Sequence, residues 1–298
     1  MTDVGRVLVV GAGTMGSQIA MACALAGLDV DVGDIEPAMF DTARHQLALR
    51  VDRMVETGRL TEPEQDDAFA RLHFTTDLDT AAARADFVIE AAVEKLDVKR
   101  ELFARLDRLC PEHTVLATNS SSFVPSKLAD ATNRPDRVCN MHFFNPALVM
   151  ACVEVVRGPQ TSDESVRTTV ELARRLGKSP VVLDKEIPGF VANRILNAVR
   201  DEAISLLENG IASVEAIDTV CRTALGYPMG PFELMDLTGI DIGYFTKQAR
   251  YAETGDPKDA PSRSVTELVE QGHLGRKSGR GWYVYDAHGK RTMSAGGT

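Results

Sequence analysis

The aliphatic run Val7-Leu-Val-Val10 stops at Gly11-Ala-Gly13-Thr-Met-Gly16, and this junction constrains the fold more than any other stretch of the chain. A short run with no polar interruption is the pattern of a strand buried on both faces of a parallel sheet. Gly16 to Ala26 is rich in Ala, Leu and Met, and Gly27 stands where a helix C-terminus favours glycine. Each glycine between strand and helix has a separate task. Gly11 permits a tight turn, Gly13 lets the backbone approach a pyrophosphate, and Gly16 lets helix and strand pack closely, while the helix N-terminus offers unpaired N–H groups to an anion. Gly11, Ala12, Gly13, Thr14, Met15 and Gly16 are therefore expected to bind a dinucleotide. A second strand is expected at Leu28 to Gly33, and Asp34 lies 23 residues beyond Gly11. A carboxylate near that spacing hydrogen-bonds the adenosine ribose and repels a 2′-phosphate, which favours NAD over NADP. Asp31 and Glu36 are neighbours that a small register error would promote instead.

Further strand-like runs occur at Phe87 to Ala92, Thr114 to Thr118, Arg137 to Phe144, Cys152 to Val156 and Pro180 to Leu183, with helical patterns such as Val98 to Cys110 and Glu164 to Leu176 among them. Strands alternating with helices predict an α/β, doubly wound sheet of Rossmann type. Segment 37–72 breaks this rhythm with a charged, helix-favouring stretch and reads as a helical excursion. After Pro188-Gly189 the strand signals stop, and Phe190 to Glu208 repeats apolar residues at helical spacing. At 298 residues the chain has room for two domains. They are expected at 1–187, binding NAD, and at 188–298, all-helical, with roles in substrate binding and dimerisation. The apolar stripe of Leu234, Met235, Leu237 and Ile240 exceeds what one helix layer needs, which points to a homodimer through the second domain.

With 33 Lys+Arg against 43 Asp+Glu the net charge is −10, which disfavours nucleic acid or an anionic membrane as a partner. Cys23, Cys110, Cys139, Cys152 and Cys221 are scattered without metal-ligand spacing, so no metal site is expected and the thiols suit a reducing, cytoplasmic location. The N-terminal run lacks a basic leader and a cleavage site, and no apolar stretch approaches a membrane span.

Among six histidines, His142 keeps unusual company, in Asn140-Met-His142-Phe-Phe-Asn145-Pro at the end of an apolar run. Twelve residues on, Glu154 interrupts the apolar strand Cys152-Val-Glu-Val-Val156. A buried carboxylate needs a partner. If the two runs are adjacent, Glu154 accepts the proton-bearing nitrogen of His142 and fixes its tautomer, which makes a general base suited to neutral pH. Two polar clusters, Thr118-Asn-Ser-Ser-Ser122 and Pro188 to Arg194, lie where α/β enzymes place ligand groups. Periodicity alone does not choose among the serines.

Taken together, these residues resemble the NAD-dependent L-3-hydroxyacyl-CoA dehydrogenases, in particular the short bacterial 3-hydroxybutyryl-CoA type. The resemblance runs through the glycine turn, Glu90-Ala-Ala-Val-Glu94 to Lys99, Thr118 to Ser122, His142-Phe-Phe-Asn-Pro146, Val153-Glu-Val155, Pro188-Gly-Phe190 with Asn193-Arg194, Gly226 to Glu233, and Gly275 to Gly281. It implies that His142 is the base and Glu154 its orienting partner, and that Ser121 and Asn193 contact the substrate oxygen. It further implies that Glu94, Lys99, Ser121, Asn145 and Lys277 touch or flank the NAD site. A basic residue on the helical excursion would hold the CoA nucleotide, with Arg53 the best-aligned candidate and Arg50 one turn away on the same helix face. Many such proteins carry Lys after the Met that precedes the glutamate strand, whereas here Met150 is followed by Ala151 and Cys152, which leaves acyl-chain preference open.

The activity implied is reversible oxidation of an L-3-hydroxyacyl-CoA to the 3-ketoacyl-CoA. Two rivals share the scaffold: an NAD-dependent dehydrogenase of a free hydroxy acid such as gulonate, and a non-catalytic NAD-binding protein. The 3-hydroxyisobutyrate-type dehydrogenases lean on a lysine base and lack the His-Phe-Phe-Asn-Pro pattern.

Overall fold

A computed structural model describes residues 4–294. The chain divides into two compact units, one ending at Phe190 and the other beginning at Val191. In the first unit eight strands form one sheet: β1 (Arg6–Val10), β2 (Asp29–Gly33), β3 (Leu72–Thr75), β4 (Phe87–Glu90), β5 (Val115–Thr118), β6 (Val138–Phe143), β7 (Cys152–Arg157) and β8 (Ser179–Leu183). Their order is β3-β2-β1-β4-β5-β6-β7-β8. All neighbours are parallel except β6 and β7, which run antiparallel. The helices are α1 (Thr14–Leu25), α2 (Ala38–Glu56), α3 (Glu62–Ala70), α4 (Leu78–Ala82), α5 (Leu96–Leu109), α6 (Ser126–Ala129) and α7 (Asp163–Arg175).

Side chains alternate across a strand, so a run that is apolar at every position needs cover on both faces. β1 supplies that demand. Val7 and Val9 belong to the apolar core on one face of the sheet, which also takes in Ile19 of α1, Leu47 and Val51 of α2 and Leu172 of α7. Leu8 and Val10 face the other way, toward Ala81 and Ala82 of α4, Phe103 and Leu106 of α5 and Leu128 of α6. The doubly wound expectation holds for this reason. The strand order reverses where β1 sits between β2 and β4, the switch point at which such sheets bind ligands.

The helical excursion consists of α2 and α3, and α3 opens with a capping box in which Thr61 and Glu64 satisfy each other's backbone N–H groups. The excursion returns through β3, which extends the sheet at its edge. This strand is absent from the sequence reading because it is four residues long and only Leu72 is buried.

The second unit contains α8 (Ala192–Glu208), α9 (Val214–Thr223), α10 (Pro231–Thr238), α11 (Ile240–Thr254) and α12 (Arg263–Glu270). It is helical as expected, but not wholly: β9 (Tyr283–Tyr285) and β10 (Arg291–Ser294) form an antiparallel pair. The alternating Trp282-Tyr-Val-Tyr285 run carries that signal. Tyr283 and Tyr285 are buried, and their hydroxyls donate to Asp218 (2.8 Å) and Asp236 (2.9 Å). Of the stripe expected to face a second subunit, Met235 and Ile240 belong to this unit's own core, whereas Leu237 is exposed.

Candidate active site

The glycine turn has the geometry its spacing demands. Gly11 has φ +109°, and a Cβ there would stand 2.5 Å from the Ala91 carbonyl oxygen. A Cβ on Gly16 would stand 1.9 Å from the Gly11 carbonyl oxygen, so both positions exclude a side chain. Around Gly13, by contrast, a Cβ would meet nothing within 4 Å, and α1 starts there with no side-chain cap. Backbone N–H groups at a 12-residue helix's positive end thus face open space, a fitting cradle for a pyrophosphate.

Asp34 is the acid beside this turn: its Oδ2 accepts the Ala12 N–H at 2.7 Å and its Oδ1 that of Glu36 at 3.0 Å. Asp31 is instead buried and paired with Arg84 at 2.6 Å and Arg6 at 3.4 Å, while Glu36 is exposed. The Asp31 carboxylate is thus taken up by two arginines, whereas those of Asp34 and Glu36 are not buried.

At the C-terminal end of the sheet, Glu90, Thr118 and Asn140 stand side by side on β4, β5 and β6. Lys99 reaches this row from α5. It is fully buried, with its ammonium 2.5 Å from Glu90 and 3.2 Å from Glu94, and the Ala92 carbonyl at 3.4 Å. Thr118 donates to the other Glu90 oxygen at 2.6 Å. Lys99 therefore holds the loop after β4 from beneath and presents no free cation at its surface. Burial disfavours the charged form of Glu94, yet the Ser120 hydroxyl (2.5 Å), the Lys99 ammonium and the Ser122 N–H outweigh it and hold this carboxyl below the ordinary range.

The serine loop is sorted by the same contacts. Ser120 is buried and committed: its hydroxyl donates to Glu94 and accepts the N–H groups of Ser122 and Phe123. The half-buried Ser121 hydroxyl has no hydrogen-bond partner among the described residues. Asn119 ties this loop to β6 by accepting the Phe143 N–H at 2.9 Å.

His142 and Glu154 are directly opposite each other in the antiparallel β6–β7 pair. Both are buried, and His142 Nδ1 lies 2.9 Å from Glu154 Oε2. Their side chains point away from the face where Met141, Phe143, Val153 and Val155 join the core. With Nδ1 committed to a carboxylate, Nε2 is the nitrogen available for proton transfer. Phe144 and Phe190 pack on the imidazole with ring centroids 4.7 and 5.3 Å away. Phe190 is the only non-glycine residue with positive φ (49°) among the described residues, a strained conformation held by its burial against Val124, Val156 and Leu183. Lys178 fixes the β6–β7 connection by donating to the carbonyls of Ala147 (2.6 Å) and Met150 (3.0 Å).

Family models match both units: "3-hydroxyacyl-CoA dehydrogenase, NAD binding domain" over residues 6–187, and the C-terminal domain of the same name over residues 189–285. The chain belongs to the 3-hydroxyacyl-CoA dehydrogenase family. Its first unit is that family's NAD-binding domain, so NAD is its cofactor. A Bacillus subtilis protein named probable 3-hydroxybutyryl-CoA dehydrogenase is 40% identical over 95% of this chain and 98% of its own length. The human mitochondrial hydroxyacyl-coenzyme A dehydrogenase is 39% identical over 95% of this chain and 91% of its own. Among solved structures, the (S)-3-hydroxybutyryl-CoA dehydrogenase of Ralstonia eutropha is 42% identical with a TM-score of 0.87, over 95% of this chain and 100% of that one.

The remaining expected residues lie on several elements, three in the first unit and two in the second. Asn145 is exposed on the loop after β6. Arg50 and Arg53 lie on the last turns of α2; Arg50 is half-buried and Arg53 is exposed beside Glu56. In the second unit Asn193 lies in the first turn of α8, and Lys277 pairs with Asp241 at 2.6 Å. Asn119 and Ser120 fall within the polar cluster expected from the sequence and Asn140 beside His142, but their supporting roles, like that of Lys178, lie in contacts with distant segments. No helix among the described residues is long and apolar enough to cross a membrane.

Proposed function

We propose that this protein catalyses the NAD-dependent, reversible oxidation of a short-chain L-3-hydroxyacyl-CoA, 3-hydroxybutyryl-CoA in the first instance, to the 3-ketoacyl-CoA. The observation that carries this reading is the buried 2.9 Å contact between His142 Nδ1 and Glu154, in the same sheet whose first strand ends in the glycine turn. Bound NAD supplies the hydride acceptor. The glycine turn holds its pyrophosphate and Asp34 its ribose, while Glu94, Ser121, Asn145 and Lys277 flank it. His142 takes the proton of the C3 hydroxyl at Nε2, and Glu154 fixes the tautomer and stabilises the resulting imidazolium. Ser121 and Asn193 hold the substrate oxygen, and Arg53, with Arg50, meets the CoA nucleotide.

The division into an NAD-binding domain at 1–187 and a substrate and dimerisation domain at 188–298 belongs to the same proposal. So does a homodimer through the second domain, favoured by the exposed Ile195, Leu237, Ile242 and Phe245. The five free cysteines fit a reducing, cytoplasmic setting.

The test follows NADH absorbance with acetoacetyl-CoA, free acetoacetate and longer 3-ketoacyl-CoAs. Rapid consumption with acetoacetyl-CoA and little with free acetoacetate is expected. The reverse preference sinks the reading, and a single-chain mass by light scattering at micromolar concentration sinks the dimer.

A further inference from the structure

Asn140 lies on β6 two residues before His142, so both side chains project from the same face of one strand. Its carboxamide is fully buried. Nδ2 donates to the carbonyl oxygens of Ser120 (2.9 Å) and Phe123 (3.0 Å), the two residues that bracket Ser121 and Ser122. Oδ1 is buried and has no hydrogen-bond partner among the described residues. An apolar side chain would fill this place without stranding an acceptor, and buried orphans of this kind call for a reason beyond packing. The two donated bonds supply one. The Ser120 hydroxyl already closes the loop on itself through the N–H groups of Ser122 and Phe123. What Asn140 adds is attachment of that closed loop to the strand that bears His142.

We propose that Asn140 is a positioning residue that sets the Ser121 hydroxyl relative to the His142 imidazole. The substrate oxygen has to meet both groups at once, so their separation matters more than either contact alone. Asn140 touches neither substrate nor cofactor and acts only through the loop. This inference rests on the assignment of Ser121 and His142 made above.

The experiment compares Asn140→Ala, Asn140→Leu, Ser121→Ala and the double variants of the full-length enzyme, by kcat with acetoacetyl-CoA and by NADH binding. Both Asn140 variants are expected to slow kcat about tenfold to a hundredfold with NADH affinity unchanged. Neither is expected to slow Ser121→Ala further, since a residue acting through Ser121 has nothing left to position once that hydroxyl is gone. A packing role makes the opposite prediction: Leu restores the filled volume and hence the rate. Recovery of kcat in Asn140→Leu, or losses that multiply with Ser121→Ala, overturns the proposal. A Leu variant that does not fold assigns Asn140 to the core and overturns it too. If Ser121→Ala by itself leaves turnover unchanged, the assignment of Ser121 has failed, an outcome separate from multiplied losses, which leave that assignment standing.

Discussion

Gly16 sits against the Gly11 carbonyl so closely that a Cβ on it would stand 1.9 Å from that oxygen, while Gly13, between them in sequence, faces open space. The two positions therefore separate folding from binding. Gly16→Ala is expected to destabilise the first unit because strand and helix must move apart. Gly13→Ala is expected to leave the melting temperature near wild type and weaken NADH binding, since its methyl group occupies the cradle. Thermal unfolding and fluorescence titration with NADH check both.

His142→Gln is expected to lower kcat about 10²–10⁴-fold, the usual worth of general acid–base participation, with NADH affinity retained. Glu154→Gln keeps an acceptor for the imidazole but removes the charge, so its loss of kcat should be smaller. Glu154→Ala strands a buried imidazole N–H and should cost about 1–3 kcal/mol of stability as well. Near-wild-type turnover in His142→Gln rules out the assigned base.

Lys99 lies 2.5 Å from Glu90 and 3.2 Å from Glu94, and its burial makes the three charges interdependent. Lys99→Met leaves Glu90 buried without its cation, a change that typically costs about 3–5 kcal/mol and corresponds to a fall of roughly 10 °C in Tm. If Lys99 served chiefly as a ligand for the cofactor, the variant would instead melt normally and bind NADH poorly.

Acid should act on the two units differently. In the first unit, burial opposes ionisation of Glu94 and Asp107, but hydrogen bonds and the Lys99 and Arg134 charges outweigh it and depress both carboxyls. A depressed folded-state value means stability that is present above the unfolded carboxylate range, near pH 4, and is lost as pH falls through the folded value. In the second unit, burial raises Asp218 and Asp236, so their contribution is full below the unfolded range and lost as pH rises through the raised value. Glu208 and Glu233 of the same unit are depressed and oppose this. Below pH 4, amide exchange across β1, β4 and β5 should accelerate before the fluorescence of Trp282, the single tryptophan, reports loss of the second unit. Simultaneous loss would contradict it.

Arg50→Glu with Arg53→Glu is expected to raise KM for acetoacetyl-CoA strongly and to change that for a small free keto acid little, because only the former carries the anionic nucleotide. Equal effects on both substrates would favour a free hydroxy acid as the natural one.

Much of the fold can be read along the chain because periodicity is a local property. The unbroken Val7–Val10 run states its need for cover on both faces, and the glycine spacing states the turn. The lone Glu154 in an apolar run announces a partner. β3 is short and its evidence is pairing with β2, some forty residues earlier, while the short β9 is anchored by tyrosine hydroxyls donated to the distant Asp218 and Asp236.

What the sequence by itself determined is which segments are buried strand, which are helix, and that an acid and a histidine are out of place among apolar neighbours. Only the tertiary structure decided that His142 and Glu154 stand in register, that Lys99 is enclosed by Glu90 and Glu94, and that Ser120 is consumed by the scaffold while Ser121 is not. The reason is physical. Strand order and register are set by the packing of the whole sheet, and a hydrogen bond between residues 12 to 28 positions apart exists only once that packing is complete.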